Sequence, residues 1–166
     1  MPQTPHALSA LPLPARVSGP AEQRSSHTDQ SIAIACTRGR EAVVRRFTFL
    51  LAQENFTEQQ WRVMRILFDF EPIAMTLLCH RTCIHKVSMT RIVKTLEAKD
   101  LVERRFQEGN SKAFEIMLTD LGRQKMSRMT PIAEEIYDGI AADFGKEETA
   151  QLLALLDKLS RINDTD

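Results

Sequence analysis

The sequence predicts a mainly α-helical chain that carries one small β-hairpin. Three observations predict it. Between Pro72 and Leu118, a short apolar run, a polar turn, a longer amphipathic run and two strand-like runs follow one another, the last two joined by Glu108-Gly109-Asn110-Ser111. The longer run, about Lys86 to Lys99, has two unlike faces: at roughly 100° per residue, Met89, Ile92, Val93 and Leu96 form one apolar stripe. Helical periods much longer than these flank the stretch on both sides. The order is that of a helix-turn-helix with a β-hairpin wing behind it, enclosed by N- and C-terminal helices.

Each element has a local reason. Residues 1–27 hold five of the seven prolines, interspersed with Ser, Thr and Gln. Such a segment cannot bury enough apolar surface to offset its ordering entropy, so a disordered tail is expected, with one domain over 28–166. From Ser31 to Asn55, Ile32, Cys36, Gly39, Val43, Phe47 and Leu50 recur every three or four residues, which predicts a helix with a narrow stripe. Thr57-Glu58-Gln59-Gln60 is a capping-box pattern, with Thr57 as N-cap and Gln60 three residues on. It opens a helix bearing Trp61, Met64, Leu67 and Phe68 that ends near Phe70, before Glu71-Pro72. The turn of the helix-turn-helix falls near Thr82-Cys83-Ile84, with Cys79 and Cys83 as small apolar core groups.

The wing strands are Leu101 to Gln107 and Ala113 to Leu118, the second showing period-two alternation of Phe114, Ile116 and Leu118. Thr119-Asp120 starts another long helix, with Leu121, Met126, Met129, Ile132, Ile136 and Ile140 as buried positions and a kink or break at Pro131. After Gly145, a last helix presents Leu152, Leu153, Leu155, Leu156 and Leu159 as a broad apolar face. These outer helices, about 31–55 and 119–162, offer more apolar surface than a small head over about 57–118 can cover. A homodimer is the economical solution.

Composition narrows the function classes. A net charge of +0 argues against non-specific coating of nucleic acid. Charge is nevertheless local: between His80 and Lys112, eight Lys/Arg stand against four Asp/Glu. The basic excess therefore sits on the helix-turn-helix. Three cysteines, Cys36, Cys79 and Cys83, in a chain this size do not suggest a disulfide framework, and a reducing cytoplasm fits. No apolar run reaches the roughly 18 residues of a membrane span. Pro12 and Pro14 interrupt the only apolar candidate for a signal peptide. No nucleophile–base pair, phosphate loop or paired-carboxylate constellation supports an enzyme, and no cofactor is expected.

The outer face of the Lys86–Lys99 helix carries Val87, Thr90, Arg91 and Lys94, with Lys86, Ser88 and Thr95 at its margins. A buried stripe backed by a small, basic, hydroxyl-bearing face suits the major groove of double-stranded DNA. Thr90 and Arg91 are the candidates for base edges or nearby phosphates, with Lys86 and Ser88 at the leading end.

Several runs then resemble the MarR family of winged-helix transcriptional regulators. Thr57-Glu58-Gln59-Gln60-Trp61-Arg62-Val63 resembles the family's T-x-x-Q-[WF]-x-[VA] opening. Ser88-Met89-Thr90-Arg91, followed by Leu96-Glu97-Ala98-Lys99-Asp100-Leu101-Val102, resembles its recognition helix and LExxGLV signature, with Asp100 where Gly is usual. Leu118-Thr119-Asp120-Leu121-Gly122 resembles the LTxxG that closes the wing. The likeness covers about 30–162 and is strongest to the branch that represses homoprotocatechuate degradation, through the Cys83–Thr90 and TEQQW runs. It implies a homodimer on a pseudo-palindromic operator, repressing nearby genes until a small molecule, here an aromatic carboxylate, releases it. It also implies a pocket between dimer helices and head, for which Arg38, Arg40, Trp61, Arg65 and His80 are candidates. Family wings carry an acid–x–Arg-Arg tip. Here Asn110, Ser111 and Lys112 stand in its place, which implies weaker minor-groove reading and leaves Arg104, Arg105 and Lys112 to meet phosphate.

Four other readings are weighed against these. Cys79, His80, Cys83 and His85 have ligand chemistry, but their spacing crosses a helix-to-turn junction, so no metal site is expected. Cys36 invites a redox-responsive reading, against which a buried structural cysteine is expected. The remaining alternatives are a regulator without effector, and a winged helix used only for protein–protein association.

Overall fold

The computed structural model describes residues 31–107 and 110–162, with the side chains of 107 and 110–113 excepted. The predicted tail over 1–27 and the Glu108-Gly109 wing tip lie outside the described residues. The elements run α1 (Ile32–Gln53), α2 (Glu58–Phe70), β1 (Ile73–Ala74), α3 (Met75–Thr82), α4 (Lys86–Ala98), β2 (Val102–Gln107), β3 (Asn110–Leu118), α5 (Asp120–Phe144) and α6 (Lys146–Ser160). Taken by themselves, residues 31–36 form the opening of α1, where the Ile34 N–H donates to Ser31 Oγ at 3.4 Å.

α2 starts as its capping box requires. The Gln60 N–H donates to Thr57 Oγ1 at 3.2 Å, and the Thr57 N–H donates to Gln60 Oε1 at 3.0 Å. One face of α2 then disappears completely, with Val63, Met64 and Leu67 at 0% exposure. Around them close Leu78 of α3, Met89, Ile92, Val93 and Leu96 of α4, and Ile116 and Leu118 of β3. Phe47, Leu50 and Leu51 of α1 and Met126, Met129 and Ala133 of α5 belong to the same core.

The sheet has three strands in the order β1-β3-β2. β1 is a correction to the expected apolar helix starting at Pro72: Ile73 pairs with Ile116 and Ala74 with Glu115 before α3 begins at Met75. The second wing strand also begins earlier than expected, at Asn110 instead of Ala113. β2 and β3 pair antiparallel from Val102↔Leu118 to Phe106↔Phe114, after which the register shifts.

The α3–α4 turn closes through Cys83 in the left-handed region, φ 52°, with the Ile84 N–H reaching the Cys79 carbonyl at 3.2 Å. Ile84 is the buried residue of that turn. Cys83 is exposed and Cys79 half-buried, so Cys83 is not the core group that was expected. The turn directs Ile84 inward and leaves Cys83, the residue before it, outside. Asp100 also has φ 55°. The steric reason for a glycine in the LExxGLV position is therefore present here, and a short polar Asp tolerates it. The Asp100 carbonyl accepts from Thr119 Oγ1 at 2.6 Å, tying the α4–β2 turn to the N-cap of α5.

In the long helices the structure corrects several positions. α5 continues through Pro131, at which a break was one expectation. Leu121 and Ile132, expected inside, are each 46% exposed, whereas Ala133 is buried. The buried stripe narrows because α5 packs only its first half on the head. Ile136 and Ile140 lie against the core as partly buried groups. Cys36 is exposed, contrary to the buried position expected. Ile32 is exposed too, so only the second half of α1's stripe is covered within the chain. No residue of α6 is buried, and Leu153 and Leu155 are 63% and 64% exposed. Gly145, at φ 110°, separates α5 from α6 with a conformation that L side chains rarely adopt.

Gly122, the last residue of the LTxxG run, has a packing reason. Its N–H donates to Thr119 Oγ1 at 3.0 Å, and a Cβ on it would overlap the Leu101 carbonyl. Gly122→Ala must push α5 off the α4–β2 turn, and overpacking of this kind costs about 1–3 kcal/mol. Urea unfolding of the variant should show that loss. A midpoint equal to the wild type's would contradict the close approach.

Candidate DNA-reading face and effector pocket

α4 is anchored by its stripe: Met89, Val93 and Leu96 are wholly buried and Ile92 nearly so. That anchoring fixes what faces outward. Lys86, Val87, Ser88, Arg91 and Lys94 are exposed and Thr90 is half-buried, so all six candidates on this helix share its solvent side. Val87, at 78% exposure, is an apolar group that the fold leaves uncovered. The Thr90 hydroxyl donates to the Lys86 carbonyl at 2.9 Å. Its proton is therefore used within the helix, and its lone pairs remain to accept a hydrogen bond. Among the described residues, Lys86, Arg91 and Lys94 have no carboxylate within ion-pair distance. The result is an uncompensated cationic surface around two hydroxyls and one branched apolar group.

The wing contributes differently from expectation. Arg104, read from the sequence as a phosphate contact, is engaged inside the protein. Its Nη2 donates to Glu97 Oε2 on α4 at 2.9 Å, and its Nε lies at an ion-pair distance of 2.9 Å from Glu97 Oε1. Arg105 projects to the other face of β2 and is exposed, so it keeps the predicted freedom. The Lys112 side chain lies outside the described residues.

The five pocket candidates fall into three places. Trp61 is buried on α2 with its ring 6.5 Å from that of Phe47, which in turn lies 4.8 Å from Tyr137 of α5. Arg65, one helical turn beyond Trp61, reaches Thr130 Oγ1 of α5 at 3.3 Å and Asp69 at 3.5 Å. Burial raises the Tyr137 hydroxyl's pKa above its ordinary value, with the Arg65 charge opposing the shift and Glu58 reinforcing it. Phe47, Trp61, Arg65 and Tyr137 are thus one neighbourhood of rings and a guanidinium. Arg40 lies beside it, ion-paired with Glu58 and Glu41. Arg38 is exposed on α1, and His80 is exposed on α3. Phe47 and Tyr137 were not among the sequence candidates. No spacing in the chain connects residue 137 to residue 61.

Glu58 joins this neighbourhood to the helix-turn-helix. Arg62 grips it with Nε at 3.0 Å and Nη2 at 2.7 Å, while Arg62 Nη1 donates to the Thr82 carbonyl at 2.7 Å. Thr82 is the last residue of α3, so the C-terminal end of that helix is held by a charge from α2. A surface pocket of about 330 Å³ lies elsewhere, lined by Glu54, Asn55, Lys99, Leu101, Leu121, Lys125 and Arg128, and includes none of the five candidates. Among the described residues, no three His, Cys, Asp or Glu come together as a metal-binding group. No described helix is long and apolar enough to cross a membrane.

Comparison with known proteins agrees with this geometry. The family model described as "MarR family" matches residues 56–114, from the N-cap of α2 to the wing. The homoprotocatechuate degradative operon repressor of Escherichia coli is 33% identical over 135 residues, covering 81% of this chain and 91% of that protein. The HTH-type transcriptional regulator FarR of Neisseria gonorrhoeae is 32% identical over 134 residues, covering 81% and 92%. Among solved structures, NadR in complex with 4-hydroxyphenylacetate superimposes with a TM-score of 0.73 at 32% identity, covering 81% of this chain and 98% of that one. A core built on α2, a helix-turn-helix with a three-stranded wing, and relatives about a third identical along nearly their whole length lead to one conclusion: the chain belongs to the MarR family of transcriptional regulators.

Proposed function

We propose that a homodimer of this chain represses transcription by binding a pseudo-palindromic DNA operator, and leaves it when a small aromatic carboxylate binds. The observation that supports it most directly is the outer face of α4. Its cations have no carboxylate partners among the described residues, and its apolar side is wholly consumed by the core. Such a face gains nothing within the protein and matches the donor and acceptor pattern of the major groove. Arg91 and Thr90 are assigned to base edges, Lys86, Ser88 and Lys94 to their margins and phosphates, and Arg105 and Lys112 to the wing's phosphate contacts.

Dimerisation follows from α6, which has no buried residue and shows Leu152, Leu153, Leu155 and Leu156 to solvent. An apolar face of this kind is stable in water when a second copy covers it. Two copies then present two α4 helices to successive major grooves about one helical turn apart. The chain acts in a reducing cytoplasm, where its three free cysteines stay thiols.

The effector reading rests on Phe47, Trp61, Tyr137 and Arg65. Flat rings meet an aromatic ligand, and a guanidinium meets its carboxylate as a fork. NadR, a relative at 32% identity, holds 4-hydroxyphenylacetate, a molecule of this class. A carboxylate arriving at Arg65 competes with Asp69 and Thr130, and so loosens the tie between α2 and α5. A ligand shifts the DNA-binding equilibrium only by its differential affinity for the two arrangements, and this competition supplies one.

Three measurements test the reading. Arg91→Ala should weaken binding to the chain's own upstream DNA by about 1–3 kcal/mol and relax preference at one base pair; anisotropy titrations with unchanged affinity and preference would remove Arg91 from the groove. Arg65→Met should bind that DNA as the wild type does, yet no longer release it on addition of 4-hydroxyphenylacetate; release at the wild-type concentration would move the effector elsewhere. Leu153→Asp combined with Leu156→Asp should convert the dimer to monomer in sedimentation velocity, and a persisting dimer would place the interface away from α6.

A further inference from the structure

The wing bears an aromatic pair that neither the core nor the ion pairs use fully. Val102, Arg104 and Phe106 alternate along one face of β2, opposite Leu118, Ile116 and Phe114 of β3. At the base of the wing, Val102, Leu118 and Ile116 are buried. One step outward, Arg104 turns to Glu97 of α4 and lies 5.0 Å from the Phe114 ring centroid. Another step outward, the rings of Phe106 and Phe114 are 5.9 Å apart and tilted by 58°. Phe106 is 57% exposed. Among the described side chains, the face that runs from α4 toward the wing tip therefore ends in two rings, and the cation on it, Arg104, is paired with Glu97.

A cross-strand aromatic pair by itself stabilises a hairpin. That accounts for Phe114, which Arg104 and Phe106 cover. It leaves more than half of Phe106 in water, where burial gives no return. The register shift directly after Phe106↔Phe114 is the kind of irregularity that re-aims a side chain.

We infer that Phe106, backed by Phe114, is a DNA contact. Its ring seats against the deoxyribose walls of the minor groove that flanks the half-site read by α4. The argument for this occupant is continuity: the Arg104–Glu97 pair fastens this face of the wing to the helix that carries Arg91 and Lys94. The inference rests on the DNA-binding reading above. Sugar C–H surfaces are apolar, so such a contact displaces no counterion and adds affinity that salt does not weaken. Minor-groove width depends on sequence, so such a contact also adds preference at positions that α4 does not touch. This chemistry suits a chain of net charge +0 with Ser111 and Lys112 in place of two wing arginines.

The test uses a duplex selected from a random-sequence pool by the full wild-type chain. Phe106→Ala should bind it roughly tenfold more weakly, the scale of one lost aromatic contact to a nucleotide. The dependence of log affinity on log salt should keep its slope, whereas Arg105→Ala should lower that slope by about 0.9 for the lost phosphate contact. Phe106→Leu should retain most of the affinity. Phe106→Thr, which keeps a strand-forming residue, should lose it, with thermal unfolding lowered only by the loss of one cross-strand ring pair, a loss that Phe106→Leu shares. Hydroxyl-radical footprints of Phe106→Thr should lose protection only in the minor groove flanking each half-site. Wild-type affinity and footprint for Phe106→Thr would overturn the inference and leave Phe106 as hairpin packing. A loss accompanied by a smaller salt slope would overturn it in favour of a displaced phosphate contact. If the full wild-type chain enriches no duplex from the pool, the DNA-binding reading itself falls, and the inference with it.

Discussion

Everything in the head depends on the burial of one face of α2. Val63, Met64 and Leu67 have no exposure at all, and they are where α3, α4, α5 and β3 meet. Three such side chains represent several kcal/mol of apolar transfer, at roughly 1.5–3 kcal/mol each. Because interiors are close-packed, the position of each surrounding helix is set by the shape of this face. The orientation of α4 is one result. With Met89, Ile92, Val93 and Leu96 committed inward, the opposite side of the helix has no choice about facing solvent. The functional surface is therefore a by-product of packing, and its precision comes from a core that contains none of its residues.

Charged groups tie this core to what lies beyond it. Glu71, nearly buried after the end of α2, takes the Leu118 N–H at the end of the wing and the Arg123 guanidinium of α5. Removing either partner would leave a carboxylate short of charge compensation in a dry place, which makes the junction stiff. On the other side, Glu58 and Arg62 connect the start of α2 to the Thr82 carbonyl, next to the turn that launches α4. The rings of Phe47, Trp61 and Tyr137 sit over the same segment of α2. A molecule bound among them therefore acts on the helix from which the whole head is hung. That gives the proposed effector response a mechanical basis without a long chain of intermediates.

The wing illustrates how one pair of residues changes the meaning of its neighbours. Read along the chain, Arg104 and Arg105 are adjacent cations of equal standing. In the strand they point to opposite faces, and Glu97 takes only the first. The same alternation puts Phe106 on the face of β2 that Arg104 shares, opposite Phe114 of β3.

Much of this protein was legible in its sequence because the governing signals are local. Thr57 with Gln60 opens a helix wherever it occurs, Glu71-Pro72 stops one, and the 89-92-93-96 spacing separates the two faces of α4 without any partner being known. The family runs added the expectation of a pseudo-palindromic operator and of a small-molecule effector. What the sequence left open depends on distance through space. β1 has only two residues and exists because β3 is beside it, so no period could announce it. Leu121 and Ile132 share the helical spacing of buried neighbours, yet the head ends before it can cover them. Cys83 looked like core until the backbone turned left-handed under it. Tyr137 joins Phe47 because α5 folds back across α1, over some ninety intervening residues. Local signals in the chain were enough to place the main helices, the apolar face of α4 and the run of cations. Which of those cations find a carboxylate, and which rings meet, follows from packing across the fold, because pairing and contact join side chains far apart along the chain.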